Sequence, residues 1–204
     1  PAHTSRINNT FFARDNAVLP FTSSNVSLGN LCGTPVDRYP GMSRCSAGEL
    51  TAIGANADRA VRYLMGDVAL ERRNNGPFRD RSSVLGDIVN STPVVSSPRD
   101  DYGYRSIAGN IGTSYASYLT AKESRPYMVY VGANDGMLHA FHGGMNASGG
   151  AVAGGGREEF AYIPATSIGH MGNLLFPYDP ANGGDQKFDH RYFVDGPITV
   201  SDVC

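Results

Sequence analysis

The chain of 204 residues contains no tryptophan and three cysteines, and its net charge of −2 is close to neutral. It has no run of 18 apolar residues, so the sequence predicts no transmembrane helix. A near-neutral chain also lacks the basic surface that argues for nucleic acid as the main partner. Neither a G-x-S-x-G elbow nor a Ser/His/Asp order is present, so we predict no catalytic residues.

Turn-forming residues, by contrast, are abundant. The 25 glycines and 12 prolines predict short strands joined by many turns, and thus a mainly β fold rather than a helical bundle. The length suits one large domain or two small ones. The chain begins at "PAHTSR" with neither a Met nor a signal peptide, which predicts a fragment or a processed product of a longer protein.

Two of the cysteines, Cys32 and Cys45, bracket a loop with two prolines and two glycines. Such a loop has little core of its own, so a disulfide would stabilise it by restricting the unfolded chain. A bridge would place the protein in an oxidising compartment. The alternative is two unrelated thiols. Cys204 is left without a partner, and no Cys or His pair has the spacing of a metal site.

The first two segments of the chain are predicted to be an irregular segment over 1–46 and a helix with its linker over 47–77. Short strands are expected around "AVLPF" and "NVSL". One amphipathic helix is expected over 47–65, because Ser46 and Glu49 form a capping box and apolar residues recur at helical spacing. Gly66 stands where a C-terminal cap belongs.

The remaining segment, 78–204, is predicted to be mostly β-structure. "SVLGDIVNSTPVVSS" reads as an extended segment that ends near Pro98, and "SYASYLTAKES" as a short helix after a loop. Four further runs have the character of strands: "YMVYVGA", "GMLHAFHG", "EEFAYIPA" and "HRYFVDGPITVSDV".

The triplet Asn134-Asp135-Gly136 lies between the first two of these runs and has two interpretations. As an EF-hand-type loop with Gly136 at position 6, it keeps only Asp135 as a ligand, because Val131 and Ala133 occupy positions 1 and 3. As a turn, it fits a three-residue hairpin loop in which Gly136 adopts the left-handed conformation. We therefore predict a structural turn and no metal ligand.

His139 and His142, together with Asp135, are candidates for a hydrolytic site. Residues three apart on a strand point to opposite faces, so the two histidines are not expected to converge. Asp87 could also be catalytic, although a carboxylate that accepts backbone N–H groups at a strand kink is the simpler interpretation. Separately, Tyr102 and Tyr104 adjoin acidic residues in a glycine-containing loop and are candidates for a partner contact, with ordinary packing as the alternative.

Four ordered blocks resemble the C-terminal domain of the PilY family of type IV pilus biogenesis factors and tip-associated adhesins. They are "FRDRSSVLGDIVNSTPVV", "RPYMVYVGANDGMLHAFHGG", "EEFAYIP" and "HRYFVDGPITVSDV". The resemblance implies a modified, quinoprotein-like β-propeller, of which 78–204 would supply the first blades. Because a ring needs at least four blades, the propeller would be incomplete and its edges covered by further chain or a partner.

The resemblance also implies minor pilins and the pilus tip as partners, and a host or other surface as a possible ligand. It implies an extracellular location at the pilus tip or outer-membrane surface, reached through the periplasm. Family members carry a calcium loop of the D-x-D/N-x-D-G type. No such motif occurs in these 204 residues, so we expect no cofactor here and a calcium site, if present, beyond Cys204.

The rival function is a quinone-cofactor dehydrogenase, since the propeller repeat is shared with those enzymes. They resemble this chain less well, because they carry a tryptophan in each blade and this chain has none. Phe160 and Tyr162 stand where the usual "G-x-x-x-W" ending would be, and no vicinal cysteine pair is present. The sequence therefore favours a non-enzymatic pilus protein.

Overall fold

The computed structural model describes residues 9–14, 16–32, 45, 47–54, 56–176 and 192–203. Within these ranges the chain builds one six-stranded sheet with five α-helices and several short 3₁₀ turns around it. The strands are β1 (Thr10–Arg14), β2 (Ala17–Pro20), β3 (Val94–Ser96), β4 (Met128–Gly132), β5 (Leu138–His142) and β6 (Glu158–Ile163). The helices are α1 (Leu28–Cys32), α2 (Ala47–Ile53), α3 (Asp58–Leu64), α4 (Asn110–Lys122) and α5 (Ala165–Ile168).

Strands β3 to β6 form an antiparallel meander in sequence order, the arrangement of a propeller blade. The predicted strands at "YMVYVGA", "GMLHAFHG" and "EEFAYIPA" are confirmed as β4, β5 and β6. Because successive side chains alternate between faces, Val131, His139 and Ala161 lie together on the buried face. Tyr130 and Phe160 lie on the other face and are half-buried.

The N-terminal hairpin of β1 and β2 extends this meander beyond β6. Strand β1 pairs in parallel with β6, and β2 then forms one edge of the sheet while β3 forms the other. The prediction of an irregular segment missed β1, but "AVLPF" does contain β2. "NVSL" is not a strand, because α1 begins at Leu28. Its apolar side chains contact the core from a turn and a helix instead.

The helix predicted over 47–65 is two helices, α2 and α3. Gly54 separates them with a φ of 86°, a left-handed conformation that ends a helix. The apolar stripe continues across the break, because Ile53, Ala57 and Ala60 are all buried. The sequence pattern thus identified the buried face but not the interruption. Gly66 has the predicted left-handed φ, of 106°, and the capping residue Ser46 lies outside the described residues.

Helix α4 begins four residues before the predicted start at 114. Gly109, with a φ of 83°, is the residue just before the helix. The segment that the sequence predicted as a loop therefore contains the start of α4. The extended segment predicted over 83–97 contains a strand only at β3. The predicted last strand is also wrong for the described residues 192–203, which contain no strand. Side-chain anchors at Asp195 and Asp202, described below, hold that segment instead of a β-ladder.

The predicted disulfide between Cys32 and Cys45 is present. It ties the end of α1 to the chain just before α2, and Cys32 is buried in the core. Cys204 lies outside the described residues.

A single core cluster draws on all three segments into which the sequence divides the chain, 1–46, 47–77 and 78–204. Its largest buried side chains include Phe12, Phe21, Leu31, Ile53, Tyr63, Phe78, Met137, Ile163, Met171 and Leu175. This core covers the buried face of β1 and β6 and reaches Met137 at the end of the β4–β5 turn.

Candidate functional site

The β4–β5 turn is a three-residue hairpin loop closed by a left-handed glycine. The carbonyl of Ala133 accepts the N–H of Gly136 at 3.2 Å, and the N–H of Ala133 donates to the carbonyl of Met137 at 3.0 Å. Gly136 has a φ of 88°. These hydrogen bonds and the left-handed glycine fit the hairpin loop predicted for Asn134-Asp135-Gly136.

The turn is fastened to the preceding loop 84–91. The N–H of Asn134 donates to the carbonyl of Asp87, and its side-chain amide donates to the Asp87 carboxylate, both at 3.0 Å. The Asp135 carboxylate accepts the N–H of Gly86 at 3.0 Å. A Cβ atom on Gly86 would lie 2.4 Å from the backbone nitrogen of Asp135, so only glycine permits this approach. The Asp87 carboxylate thus accepts a side-chain amide, whereas the sequence interpretation had it accept backbone N–H groups.

Residues 192–195 complete the contact from the other side. The side-chain oxygen of Asn134 accepts the N–H of Phe193 at 3.1 Å. The Asp195 carboxylate accepts the N–H and the amide group of Asn90 at 2.8 and 2.6 Å. Desolvation alone would raise the pKa of Asp195, but these hydrogen bonds outweigh it and lower that pKa below its usual value. The turn thus joins two segments more than 100 residues apart.

Beneath the turn, His139 is fully buried between two carboxylates. Its Nε2 lies 2.9 Å from Asp135 Oδ1 and its Nδ1 lies 2.7 Å from Glu158 Oε1. Sequence reasoning missed Glu158, although a carboxylate at the start of an otherwise apolar strand was a signal. Because both ring nitrogens contact carboxylates, the imidazole is not placed to take a proton from a nucleophile. His142 points to the opposite face, as predicted, and its Nδ1 accepts the N–H of Gly144.

The same contacts make the turn a poor calcium site. Asp135 already accepts from Gly86 and from His139, and Val131 and Ala133 offer no side-chain oxygen. Among the residues that the structure describes, no group of three or more His, Cys, Asp or Glu side chains is arranged to hold a metal ion. The described helices also include none that is both long and apolar enough to cross a membrane.

A cleft of about 330 Å³ opens between the chain at 79–87, helix α3 and the β4–β5 turn. Arg79 and Arg81 line it together with Asp80, Asp87 and Asp135. No single motif in the sequence signals this cleft, because its walls come from four separate parts of the chain.

The contacts around the β4–β5 turn form one polar cluster. A second polar cluster lies at the C-terminal end of α4. The Lys122 ammonium lies 2.8 Å from both carboxylate oxygens of Asp202, and both side chains are buried. The hydroxyls of Tyr115 and Tyr118 donate to the same carboxylate at 2.8 and 3.1 Å. Desolvation opposes the charged form of Asp202, but these donors prevail and lower its pKa.

The two tyrosines predicted as partner contacts border this cluster and differ in exposure. The Tyr102 side chain is exposed, and the Lys122 ammonium lies 5.4 Å from its ring centroid. Tyr104 is half-buried, with its ring edge-on to Tyr115 at a centroid distance of 5.2 Å. Packing therefore accounts for part of Tyr104, whereas Tyr102 keeps 37% of its surface exposed.

Comparison with known proteins identifies the family. The family model described as the PilY1 beta-propeller domain matches residues 85–204, which include β3 to β6 and both polar clusters. A type IV pilus biogenesis factor PilY1 homolog from Xylella fastidiosa is 36% identical over 153 residues, covering 72% of this chain and 9% of the relative.

Two relatives from Pseudomonas aeruginosa, each named type IV pilus biogenesis factor PilY1, are also similar. The protein of strain UCBPP-PA14 is 33% identical over 188 residues, covering 92% of this chain and 14% of the relative. The protein of strain PAK is 34% identical over 143 residues, covering 70% of this chain and 11% of the relative. No solved structure matches the chain. The chain spans only about a tenth of the length of these relatives, yet the match covers most of its own residues, and it belongs to the PilY1 family of type IV pilus biogenesis factors.

Proposed function

We propose that this chain is part of a non-enzymatic type IV pilus assembly factor that also acts as a tip-associated adhesin. The observation that carries the proposal is the family match over 85–204, supported by relatives named as pilus biogenesis factors. Those relatives are far longer than this chain, so the activity and partners of the whole protein belong to the proposal.

The meander of β3 to β6 would be one blade of a quinoprotein-like propeller that these residues leave incomplete. The two edge strands of the sheet support this idea, because Val18 on β2 and Val95 on β3 are 62% and 56% exposed. Further chain or a partner would cover these edges, which otherwise invite unwanted pairing.

The partners in this proposal are minor pilins at the pilus tip and a host or other surface. The location is extracellular, at the pilus tip or outer-membrane surface, after export through the periplasm. The Cys32–Cys45 disulfide fits such a route, since disulfides persist in oxidising compartments. A calcium site would lie outside these 204 residues.

Assembly can be tested in a strain that lacks its own gene, complemented with the whole protein. Gly86→Ala should reduce the amount of surface pilin recovered by shearing, because the added Cβ separates the turn from loop 84–91. Gly196→Ala is the matched control, since a Cβ there meets nothing within 4 Å. Normal piliation with Gly86→Ala, at an unchanged level of folded protein, would count against a role of this region in assembly.

Adhesion needs a separate readout, because lost pili also abolish attachment. The double change Tyr102→Ala/Tyr104→Ala should weaken binding to minor pilins or to the host surface while surface pili remain. Val68→Ala, which removes an exposed apolar side chain from a 3₁₀ turn outside the sheet, is the control. Unchanged binding by the double variant would remove these tyrosines from the proposed contact.

The absence of catalysis is tested directly. The purified protein is incubated with the quinone cofactor and calcium, and alcohol-dependent dye reduction is followed. We expect no turnover above the level of the buffer. Sustained turnover would favour the dehydrogenase function instead.

A further inference from the structure

The cleft between the chain at 79–87, helix α3 and the β4–β5 turn has the dimensions of a small binding site. Its volume of about 330 Å³ lies at the lower end of the range for small-molecule clefts, roughly 300–1,000 Å³. Tyr63 and Leu64 form one wall, and Asn134 and Asp135 form another. Both walls are held in place, the first by the core and the second by its contacts with loop 84–91.

Arg81 is rigidly oriented in this cleft. Its Nε donates to Glu71 Oε1 at 2.9 Å and its Nη1 donates to the carbonyl of Tyr63 at 2.8 Å. The guanidinium also stacks over the Tyr63 ring, 3.8 Å from the centroid. Its third nitrogen, Nη2, is buried and finds no hydrogen-bond acceptor within the described part of the chain.

Arg79 supplies a second donor of the same kind. Its backbone is fixed on both sides, because its N–H donates to the carbonyl of Leu175 and its carbonyl accepts the Tyr63 hydroxyl, both at 3.0 Å. Its Nε is buried and, over the residues described, likewise has no acceptor. Buried N–H groups without acceptors are costly, and both of these belong to arginines that line the cleft.

The carboxylates that line the cleft do not meet this need. Asp80 accepts a backbone N–H at 2.8 Å, and Asp87 accepts the side-chain amide of Asn134. Asp135 is engaged with His139. The groups left over are donors, and guanidinium groups pair best with carboxylate or phosphate oxygens.

Charge decides between these two acceptors. The two arginines share the cleft with three aspartates, so a doubly charged phosphate would meet more repulsion than a singly charged carboxylate. We propose that the cleft binds a carboxylate group, presented by a small organic acid or by an acidic side chain of a partner protein, with Arg79 and Arg81 as the donors. This site is distinct from the proposed contact at Tyr102 and Tyr104. It does not depend on the assignment of the chain to the pilus.

Binding can be observed in the whole chain by NMR of ¹⁵N-labelled arginine side chains. Acetate should shift the Arg79 Nε–H signal in a saturable way, and acetamide, its neutral counterpart, should not. Inorganic phosphate should bind more weakly than acetate. A seven-residue peptide GSGEGSG with blocked ends, compared with GSGQGSG, distinguishes a peptide source from a free acid: tighter binding of the glutamate peptide than of acetate indicates a protein partner.

Variants locate the site. Arg79→Gln should weaken acetate binding on the order of tenfold, the effect expected for one charge-assisted hydrogen bond. Arg79→Lys should recover little of it, because an ammonium lacks the planar fork. Arg99→Gln removes the same charge from an exposed position outside the cleft and should leave binding unchanged. Thermal unfolding of each variant verifies that the fold is intact.

Three results would overturn the proposal. One is an equal response to acetate and acetamide, which would show that the carboxylate charge is not recognised. Another is equal loss of binding in Arg79→Gln and Arg99→Gln, which would reduce the effect to overall charge. Tighter binding of phosphate than of acetate would reject the carboxylate as the preferred ligand.

Discussion

The β4–β5 turn and the C-terminal end of α4 both hold a distant part of the chain, but they do so by different means. The turn uses many short-range hydrogen bonds, several of them to backbone groups of loop 84–91. The end of α4 uses one buried ion pair, Lys122–Asp202, surrounded by tyrosine hydroxyls. Distributed contacts tolerate the loss of one member, whereas a buried charge whose partner is removed is left uncompensated.

The largest expected effect is therefore at the ion pair. Lys122→Met should lower the free energy of unfolding by about 3–5 kcal/mol, because Asp202 then remains charged and buried without its cation. The double variant Lys122→Met/Asp202→Leu should recover much of that loss. Urea unfolding of both variants measures the difference. A double variant no more stable than the single one would show that the pair is not the source of the effect.

At the turn, the largest effect is expected from steric crowding. Gly86→Ala should cost about 1–3 kcal/mol, since its Cβ would lie 2.4 Å from the Asp135 nitrogen and force the turn away from the loop. The Gly196→Ala control should stay within about 0.5 kcal/mol of the parent. Similar unfolding midpoints for the two alanine variants would contradict the close approach.

Acid should weaken the ion pair at the end of α4. The folded pKa of Asp202 is lowered, so its contribution to stability is fully present above the unfolded value, near 3.8, and is lost as the pH falls through the folded pKa. The parent chain should therefore lose more stability between about pH 5 and pH 2 than Asp202→Asn does. Unfolding midpoints measured across that range test the sign. Parallel curves for the two proteins would exclude Asp202 as a contributor.

The smallest expected effects concern the two tyrosines beside α4. Tyr104→Ala should cost about 0.5–1.5 kcal/mol beyond its area burial, from the lost edge contact with Tyr115. Tyr102→Ala should change stability by less, because its side chain is exposed. Thermal unfolding distinguishes them, and a larger loss from Tyr102 would reveal a structural role for that ring.

Local patterns in the sequence predicted local structure well. The β4–β5 hairpin follows from turn chemistry in three adjacent residues, and the disulfide follows from two cysteines around a loop. The apolar stripe of α2 and α3 was visible, although the left-handed Gly54 between them was not, because a periodic pattern does not register backbone conformation.

Local sequence patterns did not predict the contacts between residues that are distant in the chain. Lys122 and Asp202 are 80 positions apart, and His139 meets Glu158 only because β5 and β6 pair in one register. The predicted strand is also absent from the described residues 192–203, where the carboxylates of Asp195 and Asp202 make the contacts. Which buried polar groups meet depends on the tertiary structure, and a single sequence does not encode that directly in its periodicity.

The parallel pairing of β1 with β6 has a consequence for the timing of folding. Thr10 lies opposite Ala161, so the first described strand cannot enter the sheet until some 150 later residues have been synthesised. Its hairpin partner β2 and the Cys32–Cys45 bridge are local and can form early. The N-terminal hairpin therefore has to wait for β6, and folding intermediates should expose the free edge of β6 until the hairpin docks.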